Sequence, residues 1–155
     1  MSLRIDSSKY QSSGALRAML SLQQEVEGSG LEHSLLHLVK IRASQINGCA
    51  YCIDMHTKDA RAAGETEQRI YALNAWRETP FFSSRERAAL DWAEVVTLLH
   101  QTHVPDDAYE RVRKEFSEAE TVSLTFALIA INGWNRLAVS FRAPAGSYKA
   151  KAVAV

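Results

Sequence analysis

The chain has 155 residues, 46% of them hydrophobic and 23% charged, the size and make-up of one globular domain spanning 1–155. Eighteen basic residues balance eighteen acidic ones, so the charge gives no support to a nucleic-acid or membrane-surface partner. Residues 1–20 mix Arg4, Asp6, Lys9 and Arg17 into the apolar positions, unlike a secretory leader, and no apolar run is expected to reach the roughly 18 residues that span a bilayer.

Taken in order, the apolar pattern is helical throughout. Leu16, Met19, Leu20, Leu22 and Val26 predict a first helix over 12–26. Ser29 and Gly30 break it, and a second helix runs over 31–46, apolar on more than one side and therefore buried. Asn47-Gly48 is a strong turn signal. A third helix follows and stops near Ala63-Gly64, where glycine is a natural terminator. Ile70, Leu73 and Trp76 predict a fourth over 65–77, ended by Thr79-Pro80. Ser83 or Ser84 caps a long fifth helix with Glu86 in its first turn and a broad apolar face from Ala88 to Leu99. Val104-Pro105-Asp106-Asp107 starts a short helix through Lys114, and Ser117 caps a last long helix reaching Phe141, with Glu118 and Glu120 in its first turn. Order is expected over about 10–146, with a loose tail beyond Pro144 and Gly146. Short connections and the absence of strand alternation predict an all-α bundle.

Both cysteines lie in one stretch, with a histidine four residues past the second: Cys49, Cys52 and His56. If the third helix starts near Gly48, both thiols sit in its first turn, where unpaired N–H groups and the helix dipole favour a thiolate. Residues three apart are neighbours on a helix, so a short-range disulfide is feasible. His56 lies on the face of Cys52, one turn on, placed to take its proton. Redox chemistry, a metal site and plain packing all remain open at this point. Zinc wants four ligands, and the spacing to His100 and His103 matches no finger. His33 and His37, four apart, form a candidate metal pair with His56. Haem attachment needs a histidine where Ile53 stands, and a thioredoxin-like domain needs strands. Two cysteines so close together point to catalysis or redox sensing in a cytoplasmic chain more than to a disulfide scaffold.

The run from Lys40 to His56, KIRASQINGCAYCIDMH, resembles the core motif of the AhpD-like alkylhydroperoxidases, within the carboxymuconolactone decarboxylase superfamily. Ile131 to Leu137, INGWNRL, and Phe141-Arg142 are similar to a subgroup of that family, so the resemblance covers about residues 10–146. It implies a helical-hairpin core carrying the C-x-x-C and a homo-oligomer, trimer or hexamer. It also implies roles: Cys52 attacks a hydroperoxide substrate, Cys49 resolves the sulfenic acid to a disulfide, and His56 belongs to the proton relay. An external dithiol, in the family a lipoyl-bearing partner, would reduce the disulfide. No flavin, haem or metal cofactor is implied.

Two positions depart from the family's pattern. Twelve residues before the first cysteine, where many members carry a glutamate acting as base, this chain has His37. Histidine also accepts a proton near neutral pH, but supplies no fixed negative charge. The position before the second cysteine is Tyr51, a packing or orienting residue, since a free phenol titrates near 10. Glu94, with Asp91 and Glu86 on the same helix, is a candidate to take over the carboxylate's role. The alternatives to a peroxidase are a redox-sensing oligomer and a non-redox lactone decarboxylase-like enzyme; the cysteine pair counts against the latter.

Overall fold

A computed structural model describes residues 2–10 and 12–150. After a short 3-10 turn at Ser7–Tyr10, eight α-helices follow: α1 Gly14–Glu27, α2 His33–Ile46, α3 Ala50–Ala62, α4 Glu67–Ala72, α5 Ser84–Thr97, α6 Leu99–Thr102, α7 Asp106–Glu115 and α8 Glu118–Phe141. No strand occurs among the described residues. The all-α bundle predicted from periodicity is the architecture found.

The start signals act as their chemistry requires. Ser83 and Ser117 each form a full capping box, with Glu86 and Glu120 returning a bond to the cap's own N–H. Ser13 and Thr66 accept from backbone N–H groups opening α1 and α4. Gly30, Gly48 and Gly64 end helices in the left-handed region. Two boundaries differ from the periodic reading. The expected fourth helix breaks at Ala72 into a 3-10 segment, Leu73–Glu78, kinked at Ala75, and the fifth stops at Thr97, with α6 as a separate turn. In both places one apolar face runs on, so periodicity alone does not mark the change of backbone.

α2 is the central element. It packs against α3 as an antiparallel hairpin, and against α5 and α8. Leu38, Val39, Ile41 and Ala43 are fully buried there, and each face of α2 feeds a different core. One core joins α2 to α5, α7 and α8 and includes both cysteines. The other joins α2 to the 3-10 segment and α5 through Leu38, Ile41, Leu73, Trp76, Phe82 and Leu90. Phe82 belongs to this second core, with Phe81 packed at its edge.

Contrary to the expectation from sequence, α8 is long and apolar enough to cross a membrane by length and composition, because its scattered polar residues leave the average over the helix apolar. In this fold it packs on α1, α2, α3, α5 and α7. Its Gly133 lies against Met19 of α1, where an added Cβ would come within 2.8 Å of the methionine Cε. The segment after Pro144, expected to be loose, is fastened to α3 as far as Tyr148. Gly146 N–H donates to Asp54, Lys58 donates to the Gly146 and Tyr148 carbonyls, and the Tyr148 hydroxyl donates to Asp59 at 2.7 Å. The remainder of that tail, 151–155, lies outside the described residues.

Candidate active site

The site begins at the turn between α2 and α3. Asn47 closes α2, Gly48 turns at φ 64°, and Cys49 becomes the N-cap of α3. Its Sγ accepts the Cys52 N–H at 3.3 Å, the task a serine or aspartate usually performs at that position. Both sulfurs therefore lie in the first turn, as the motif spacing predicted. Their Cα atoms are 5.4 Å apart and the two are joined as a disulfide. Cys49 is 1% and Cys52 2% exposed, walled in by the core shared with α5 and α8.

Asparagines lock this turn from a distance. The Asn47 side-chain amide donates to Asn132 at 2.9 Å and to Asn135 at 2.8 Å, both on α8. Asn135, 1% exposed, donates to Ser44 of α2, and Asn132 donates to Thr97 at the end of α5. The two halves of the sequence pattern, QING and INGWN, are thus one hydrogen-bonded clamp. Sequence reading registered both halves, but nothing in their spacing showed that they touch.

His56 stands one turn beyond Cys52 on the same face and is buried. Burial, then the Lys40 ammonium and His37, hold its imidazole far below the usual range, to about 3, with Glu27 opposing. His56 is therefore a neutral ring at physiological pH. His37 is half-buried, and its Nδ1 has no partner. It lines a cavity of about 150 Å³ with Ser34, Ala60, Ala63, Gly64 and Glu65. Of the residues lining that cavity, Ala60 lies two turns past Cys52 on α3, roughly 12 Å along the helix axis from the sulfur's level. His37 acts on His56 electrostatically. Its pKa is lowered by burial first and by Lys40 second.

The other candidates fall elsewhere. Glu94 was a candidate to look into the site; its carboxylate is taken by Arg42 at 2.8 Å, Trp76 Nε1 at 2.8 Å and Arg77 at 2.8 Å. Burial opposes its charge, but these three donors more than offset that and hold its pKa down, which makes the carboxylate a weaker proton acceptor. Asp91 pairs with Arg77 and Arg111, and Glu86 is spent on the α5 cap and Arg69. Tyr51 packs against the cysteine-bearing core. His33 is exposed and bonded to Glu27, and no group of three metal-ligating side chains occurs among the described residues. Sequence reasoning missed Lys40 and Glu27. The available signal was a lysine between Val39 and Ile41 in a helix buried on several sides.

The fold and site define a class: an all-helical protein with a helical hairpin presenting a C-x-x-C-x-x-x-H from its second helix. The sequence profile of the carboxymuconolactone decarboxylase family matches residues 14–95, and the chain belongs to that family, in its AhpD-like branch. Among its relatives is the uncharacterized protein YdfG of Bacillus subtilis, 46% identical over 125 residues, 81% of this chain and 85% of that one. A crystal structure of ATU0492 from Agrobacterium tumefaciens superimposes with a TM-score of 0.90 at 46% identity, covering 95% of this chain and all of that one. That protein's function is unknown and its suggested role is AhpD-type antioxidant defence. The debrominase Bmp8 shares the fold at a TM-score of 0.76 and 17% identity, covering 84% of this chain and 70% of that one.

Proposed function

We propose that the chain is a thiol peroxidase of the AhpD type that reduces alkyl hydroperoxides. The observation that carries this reading is the joined Cys49–Cys52 pair, with neutral His56 one turn away on the Cys52 face. In the reduced protein His56 accepts the Cys52 proton, and the thiolate attacks the outer peroxide oxygen. The O–O bond breaks, Cys52 becomes a sulfenic acid, and the departing alkoxide takes the proton from His56 to leave as an alcohol. Cys49 then attacks the Cys52 sulfur, forming the disulfide and releasing water. An external dithiol, such as a lipoyl-bearing protein, returns both thiols by exchange and leaves as its own disulfide. No cofactor is required by this cycle. A homo-oligomer, trimer or hexamer, in the cytoplasm belongs to the same proposal; exposed Val122, Phe126 and Ile129, at helical spacing on α8, support the oligomer.

The test is a thiol count on reduced protein before and after an organic hydroperoxide. Both thiols should disappear in the native chain, Cys52→Ser should abolish the loss, and Cys49→Ser should leave a sulfenic acid trappable by a cyclic dione. Dihydrolipoamide should then sustain turnover. Thiols that persist under peroxide would rule the reading out. One observation favours a second reading, a redox sensor: the nearly complete burial of both sulfurs. A single oxidation with no turnover under any dithiol would select it.

A further inference from the structure

Among the described residues, most arginines pair with a carboxylate. Two at the C-terminal end of α8 have no such partner there. Arg136 Nη1 donates to the Asn132 carbonyl at 2.9 Å and to Asn132 Oδ1 at 3.1 Å, the same oxygen that accepts from Asn47. From the N-terminal segment, Arg4 Nη1 donates to the Ser140 carbonyl at 3.3 Å. Each commits one nitrogen to α8, and the Nε and Nη2 of Arg136 have no acceptor among the described residues.

Arg136 lines a cavity of about 160 Å³ together with Asn47, Asn135, Val139 and Ser140. A cavity of that order holds a benzene-sized guest. No carboxylate lines it, so nothing in its wall balances the guanidinium. The other cavity, beside His37, has Glu65 in its wall and neither arginine nor lysine. Two links join the Arg136 cavity to the disulfide. Asn47 is two residues from Cys49, so their Cα atoms are at most about 7 Å apart. Asn135 donates to Ser44 Oγ at 3.1 Å, and the Ser44 carbonyl accepts the Cys49 N–H at 2.9 Å.

We propose that this cavity is a subsite for a carboxylate on the substrate, with Arg136 as the group that pairs with it and Arg4 adding positive charge at the Ser140 wall. A guanidinium holds a carboxylate through two parallel N–H donors, and Nε with Nη2 supplies that edge while Asn132 fixes Nη1. The substrate class is then an organic hydroperoxide carrying a carboxylate on a short aliphatic chain. Val139 gives the chain an apolar wall, and the hydroperoxide end lies toward the turn of Cys49. The hydroperoxide part rests on the peroxidase reading; the carboxylate part does not.

The experiment begins with binding to the full chain in its disulfide form, by calorimetry and by NMR shifts of the Asn47 and Asn135 side-chain amides. Hexanoate is the probe and hexanamide its neutral counterpart. Hexanoate should bind saturably and move both signals, and hexanamide should not. Arg136→Gln, at an exposed position, should weaken hexanoate about tenfold, and Arg136→Lys should recover part of that loss. In turnover, Arg136→Gln should raise KM for hydroperoxyhexanoate about tenfold at unchanged kcat and leave neutral tert-butyl hydroperoxide unaffected. Hexanoate that binds no better than hexanamide, or equally well to native and Arg136→Gln protein, overturns the proposal. So does a KM effect confined to a carboxylated dithiol reductant. If Arg136→Gln does not fold, the contrast between hexanoate and hexanamide in the native chain decides. If no hydroperoxide turns over, the peroxidase reading fails, and the carboxylate subsite stands or falls on the binding measurement.

Discussion

At the scale of single residues, Asn135 shows how much of the site depends on groups far from it in sequence. It is 1% exposed, accepts from Asn47 and donates to Ser44, 88 and 91 residues away. Truncation to alanine removes one partner from buried Ser44 and one from half-buried Asn47. We expect Asn135→Ala to cost about 2–3 kcal/mol, read as a lowered urea midpoint at unchanged slope. A cost under about 0.5 kcal/mol would mean that the clamp is replaceable by water. His37 teaches a related point. Its identity departs from the family's glutamate, and the structure puts a carboxylate, Glu27, within the same electrostatic cluster from a different helix. No spacing rule connects residue 27 to residue 56.

At the scale of elements, caps and turns were legible because their signals are local: a serine, the glutamate three residues on and the N–H groups between them share one turn. Helix faces were less legible. Glu94 lies on a helix whose apolar side faces the core, which made it a plausible relay group. The structure turns its carboxylate toward Arg42, Trp76 and Arg77, tying α5 to α2 and the 3-10 segment. Glu94→Gln should therefore lower stability by about 1–3 kcal/mol, since it weakens three hydrogen bonds, two of them to guanidinium groups. Peroxide-driven loss of the thiols should continue at the native rate. A rate reduced tenfold or more in a folded Glu94→Gln protein would return this carboxylate to the proton relay.

At the scale of the whole molecule, buried histidines and paired carboxylates make stability depend on pH in one direction. His56 and His37 are depressed in the fold, so below about pH 6.5 the unfolded chain binds protons that the folded chain refuses. Their contribution is complete above that pH and is lost as pH falls, for His56 until about 3. The slope for one such group is about 1.4 kcal/mol per pH unit. Below about pH 4.5, Glu27 and Glu94, also depressed, add to the loss. Urea midpoints measured from pH 7.5 to 4 should fall steadily, and His56→Asn should flatten the upper part of that curve. A midpoint independent of pH between 6.5 and 5 would show that His56 titrates normally in the folded protein.

The sequence by itself determined the helical class, most helix boundaries and the placing of Cys49, Cys52 and His56 on one helical turn and the next. Each depends on contacts within a few residues, where covalent spacing and hydrogen-bond geometry leave few choices. Only the tertiary structure decided which side chains surround them. Lys40 meets Glu27 across thirteen positions, Asn47 meets Asn135 across eighty-eight, and Tyr148 reaches Asp59 across eighty-nine. Such pairings follow from how helices stack around α2. Stacking is set by the summed burial of many apolar side chains, so no single local pattern records it.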